Sequence, residues 1–78
     1  LSNKLIADVG AALWGERWQT ELSRALGISD RTVRNWVAGT SEPKQGVYMD
    51  LLRISEERAA DLDEVITRVR EAMNSASQ

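Results

Sequence analysis

The stretch LSRALGISDRTVRNWVAG, residues 22 to 39, limits what this chain can fold into more than any other part of it. Two short runs with helical spacing, one carrying Leu22, Ala25 and Leu26 and the other Val33, Trp36 and Val37, are parted only by Gly27, Ile28 and Ser29. Glycine accepts the left-handed backbone that ends a helix. Serine at the entrance of the next helix can accept a hydrogen bond from one of its unsatisfied N–H groups. A corner this sharp also needs a small residue where the helices touch, which is Ser23 or Ala25. Leu22, Leu26, Ile28, Val33 and Trp36 are the apolar side chains available to lock the crossing angle.

The remaining segments are also helical. Ser2 can cap a first helix whose Leu5, Ile6, Val9, Ala12 and Leu13 recur at spacings of three and four, with Gly15 closing it. A second helix is expected from about Trp18 to Leu26, with Trp18, Leu22, Ala25 and Leu26 inward. A third, about Asp30 to Ala38, would be capped by Ser29 and stopped by Gly39. TSEPK, residues 40–44, holds the single proline and reads as a loop. Residues 47–73 contain neither glycine nor proline, enough for about seven helical turns. Within them Leu52, Ala59, Leu62, Ile66, Val69 and Met73, with Ser55 as a weak member, follow the alternating three and four spacing of a heptad seam. The tail NSASQ should fray. With no strand-like alternation anywhere, the fold class is all-α, in a single domain.

Composition removes several kinds of function. The chain has neither cysteine nor histidine, so it offers no disulfide, thiolate, imidazole base or thiol or imidazole metal site. Carboxylates, lysines and one tyrosine converge on no catalytic set, and no glycine-rich loop could cradle a phosphate. No enzyme activity, cofactor, metal or small-molecule ligand is therefore expected. No apolar run reaches the roughly 18 residues of a membrane span, and the opening residues lack a signal peptide's apolar block. The chain reads as soluble and cytoplasmic, in a bacterial cell or a phage-infected host, with no membrane partner. Net charge is −2 but unevenly spread: residues 1–46 hold six Lys or Arg against five acids, and residues 47–78 four Arg against seven acids. A polyanion would therefore meet the first half.

Two short helices joined by a tight glycine-containing turn make a helix-turn-helix, whose second helix can enter the DNA major groove. At this point the sequence resembles the phage repressor and Cro class of regulators, the xenobiotic-response-element type. Gln19, Ser23, Gly27, Ile28, Val33 and Trp36 match that family's pattern in register, and Trp36 to Gly39 resembles its W-x-x-G ending. The likeness covers roughly residues 3 to 55. Ser23 departs from the alanine that the family favours, as does the long acidic C-terminal helix.

The resemblance implies a lambda-repressor-like, five-helix-type bundle with residues 1–46 as the DNA-binding unit; residues 47–78 are expected as a C-terminal helix for core packing and, from the length of its heptad seam, dimerisation, the alternative being that it simply folds back on the three-helix unit. It implies that Ser29, Asp30, Arg31, Arg34 and Asn35 face the groove, and that Gln19 contacts a phosphate. Lys44 then holds phosphate, with Arg17 and Thr40 as further candidates. The chemistry agrees, since Arg suits guanine, Asn adenine, and Asp can accept from cytosine. Asp30 is the weakest member of the set, since a helix-capping role alone would explain it. Trp36 reads as core, while Trp14 and Trp18 are either buried area or the rim of an interface. The expected function is a small homodimeric repressor binding a palindromic operator on double-stranded DNA, with Leu62, Ile66, Val69 and Met73 as the dimer interface. The rival reading is a helical protein-interaction module, an antitoxin or adaptor, without sequence-specific DNA binding.

Overall fold

The structure, a computed structural model, describes residues 2–76. Glycine stops and capping side chains divide the chain into four α-helices: α1 (Ser2–Trp14), α2 (Trp18–Leu26), α3 (Asp30–Ala38) and α4 (Gln45–Ala76). A single turn of 3-10 helix, Gly15–Arg17, links α1 to α2, so the chain has four α-helices and this turn in place of a five-helix layout. No strand occurs among the described residues. Gly15, Gly27 and Gly39 all have positive φ, as glycines that end helices should. Residues 40–44 form the loop expected there. The α4 helix runs on through Asn74, Ser75 and Ala76, so that part of the tail is ordered helix rather than frayed. The remaining two tail residues lie outside the described ones, as does the Ser2 side chain expected to cap α1.

Each helix sends at least one side chain into a common core: Ile6 from α1, Leu22 from α2, Val33 and Trp36 from α3, and Leu51 from α4. Trp14 and Trp18 are half-buried and packed against that cluster, which makes both of them buried area. Trp18 needs Gly10 to lie where it does. A Cβ at Gly10 would fall inside the Trp18 indole, touching Cε3 and Cδ2. A glycine in mid-helix costs about 1 kcal/mol against alanine, and the close passage of the indole is what that cost secures.

Four residues on the apolar spacing of their helices turn out to face solvent. Ala25 is exposed on α2, where the buried pair is Leu22 and Ser23. At about 100° per residue, α2 is rotated toward Ser23 because α3 crosses it on that side. Ser23 is therefore the small residue at the contact. On α1 the buried arc is centred on Ile6, Gly10 and Leu13, leaving Leu5 about half exposed and Ala12 exposed on one flank. That flank borders α4. Val37 on α3 is exposed as well.

The first turns of α4 close the core with Leu51, supported by Val47 and Tyr48. Arg58, further along, donates from Nη1 to the Leu13 carbonyl at 3.0 Å. A cation bonded to a carbonyl in α1's last turn is favoured by the helix dipole, and the bond ties the two helices together. Beyond this point α4 leaves the other helices behind. Its 32 residues give a molecule 58 Å long and only 22–23 Å across.

The two helical glycines provide paired tests. Gly10→Ala should lower stability by roughly 1–2 kcal/mol, because overpacking against Trp18 outweighs the propensity gain. Gly46→Ala, where an added Cβ meets nothing within 4 Å, should raise stability by about 0.4–1 kcal/mol. Urea unfolding of both variants checks the pair, and a stabilised Gly10→Ala would contradict the close passage of Trp18.

Candidate nucleic-acid interface

The α2–α3 corner is built from backbone bonds first. Gly27 sits at φ 67° and ψ 35°, its N–H donating to the Arg24 carbonyl at 3.3 Å, while the Ile28 N–H reaches Ser23 at 2.9 Å. These two bonds satisfy carbonyls that the end of α2 would otherwise leave unpaired. Ser29 then caps α3, its Oγ accepting from the Thr32 N–H at 3.1 Å. Leu26 and Ile28 flank the turn and lean on the core.

A side-chain bond closes the corner. Ser23 is 3% exposed, and its Oγ lies 2.5 Å from Asp30 Oδ1 and 2.7 Å from the Thr20 carbonyl. A hydroxyl has one proton to donate, and the carboxylate is the stronger acceptor, so Ser23 donates to Asp30. Ser23 thus has a partner across the corner. Asp30, also favourable as an acid in the first turn of α3, is held by that bond. No signal in the sequence named this pairing, though two short polar residues either side of a tight turn are the types that could form it.

Helix α3 is fixed by one face and presents the other. Val33 and Trp36 are buried, and the opposite arc carries Arg31, Arg34 and Ala38, all exposed, with Asn35 half-buried beside them. Ala38 keeps the middle of that arc low, so two guanidinium groups stand out from it. Gly39 ends the helix at φ 81°, and the Thr40 N–H and Oγ1 both donate to the Asn35 carbonyl at 3.0 and 3.2 Å. Thr40 and the exposed Lys44 thereby sit in the loop leaving α3, and the Lys44 carbonyl accepts from Val47 as α4 begins. Arg17 ends the 3-10 turn, exposed, and half-buried Gln19 is in the first turn of α2.

The cations divide by partner. Lys4, Arg24 and Arg53 are each paired with a carboxylate on their own helix, while Arg58 is bonded to Leu13. Among the described residues Arg17, Arg31, Arg34 and Lys44 have no ion pair. Arg68 and Arg70 have none either, but they lie among the acids of α4. The first four belong to the less acidic part of the molecule, and every one is free to take an external anion without giving up an internal one.

Comparison with protein-family models, with curated proteins and with solved structures finds no match for this chain.

The corner bond can be isolated by a double-mutant cycle. Ser23→Ala and Asp30→Ala should each lower stability by about 1 kcal/mol, and the double variant should lose less than their sum by roughly 0.5–1 kcal/mol. Chemical denaturation reads the coupling, and strictly additive losses would remove the bond from this account.

Proposed function

We propose that this chain is a sequence-specific DNA-binding regulator of the helix-turn-helix, repressor and Cro-like type, acting as a homodimer on a palindromic operator. The observation that carries the reading is α3 itself. It is a short helix clamped on one face by Val33 and Trp36, with unpaired Arg31 and Arg34 projecting from the other. The major groove is about 12 Å wide and admits an α-helix. In this reading α3 lies in it as the recognition helix.

Arg31 and Arg34 read base edges, guanine O6 and N7 being the acceptors that suit a guanidinium fork. Asn35 pairs with adenine from the edge of the same arc. Ser29 and Asp30 stand at the entrance of α3, where base contact competes with the bonds they already make to Thr32 and Ser23. Their chief part is then to hold α3 at its angle. Lys44, Arg17, Thr40 and Gln19 grip phosphates on either side, which sets register without reading sequence. The acidic α4 is kept off the duplex by its own charge. With two heads joined through α4, each half-site lies about one turn, ~34 Å, from the next. Occupancy of an operator overlapping a promoter would exclude polymerase, which is how such a regulator would repress.

The exposed seam on α4 supports the dimer. Leu62, Ile66, Val69 and Met73 are 44–66% exposed, and Val65 beside them is 48% exposed, so one helix carries a continuous apolar stripe into solvent. Monomeric soluble proteins seldom display such a stripe.

Selection from random genomic duplexes, followed by fluorescence anisotropy on the recovered and a scrambled sequence across a salt series, tests the reading. The expected result is an inverted repeat bound far more tightly than the scramble, with affinity falling as log-log slope near −0.9 per phosphate contacted. Arg34→Ala should weaken the selected site by about 1–3 kcal/mol and relax preference at one base pair. Lys44→Ala should weaken both duplexes alike. Ile66→Glu with Val69→Glu should give monomers in sedimentation and weaken operator binding. Failure to enrich any duplex, with equal binding to both, would favour the protein-interaction module instead.

A further inference from the structure

The α1 flank that failed to bury borders two adjoining depressions between α1 and α4. One, of about 380 Å³, lies among Val9, Ala12, Ser55 and Ala59, and the other, of about 290 Å³, among Leu5, Val9, Leu52 and Ser55. The first floor is hollow because Ala12, Ser55 and Ala59 are small, and Ser55 is the small residue the two depressions share. Both are also continuous with the exposed seam, since Ser55 and Ala59 occupy the same stripe of α4 as Leu62, Ile66, Val69 and Met73. Nothing else in the described chain covers either.

The geometry points to an antiparallel dimer of α4, in which the C-terminal end of a second copy's α4 fills this groove. The inference rests on the self-association proposed above and specifies its orientation and seat. Small and large residues are complementary in this arrangement alone. With the two helices opposed about a point near residue 64, the partner's Met73 falls at Ser55, the partner's Val69 at Ala59, and Leu62 meets the partner's Ile66. A parallel pair would place Ser55 on Ser55 and Ala59 on Ala59 and leave the depressions empty.

Charge agrees with the shape. In the antiparallel register Glu56 flanks the partner's Arg70, twice by symmetry, and Val65 flanks its own copy. Arg70 is one of the cations with no internal partner. In the parallel register Val65 would face Arg70, and the one opposite-charge pair would be Arg58 with Asp63. Arg58 is already committed to the Leu13 carbonyl. Antiparallel pairing does bring Asp63 near its own copy, at the solvated edge, where a like pair costs little.

The chain has no cysteine, so single introduced thiols report geometry cleanly. Ser55→Cys and Met73→Cys lie 18 positions apart, about 27 Å along the helix, too far to bridge within one chain. Each variant is oxidised alone and in an equal mixture, and wild-type chain is sedimented over a concentration series. The expected result is a wild-type dimer, a covalent mixed dimer from the two variants together, and little covalent dimer from either alone. Covalent dimer from Met73→Cys alone would overturn the antiparallel seat and leave self-association standing. A wild-type monomer throughout would overturn both. The DNA reading is judged separately by anisotropy, which a monomeric head can still satisfy.

Discussion

Everything outward on this molecule depends on the angle at which α3 leaves α2. Three short-range constraints hold that angle. The left-handed Gly27 turns the chain, the Ser29 cap starts α3, and the bond from Ser23 to Asp30 ties α3 back to α2. Behind them Leu22 and Val33 are fully buried, so the corner cannot open without exposing core. A helix of nine residues is too short to be stable alone in water. The core behind it therefore fixes the backbone from which Arg31 and Arg34 project.

The chain divides its labour along its length. The head spends its apolar residues on one five-residue core and leaves unpaired cations on the surface. The long helix contributes Leu51 to that core and Arg58 to the end of α1, then carries an acidic, seam-bearing arm away from the head. Under the proposed function this separation would keep the acid-rich arm away from the polyanion that the head's unpaired cations would attract.

Much of this was legible in the sequence, for a physical reason that differs from residue to residue. Helix starts and stops are local, so Gly15, Gly27, Ser29 and Gly39 announce them. Inward faces are less local. Ala25, Leu5 and Ala12 fit the periodicity of their helices, yet each is exposed, because which arc is buried depends on how neighbouring helices cross. Gly10 marks a close approach that its own helix does not explain, because the approaching group, Trp18, lies across the link between helices. Arg58 and Leu13 are 45 residues apart, and no spacing rule connects such a pair. The outward arc of α3 with Arg31, Arg34 and Asn35 was legible as a set, since it follows from the helix. Asp30's bond to Ser23 was not.

The amino-acid sequence by itself determined an all-helical chain, the places where it turns and the uninterrupted run that becomes α4, because these follow from backbone preferences acting within a few residues. Only the tertiary structure decided which face of each helix is buried, which polar side chains are tied inward and where a groove opens. Those outcomes are set by side chains competing for a common interior, and the competition takes place between residues that are far apart in the chain.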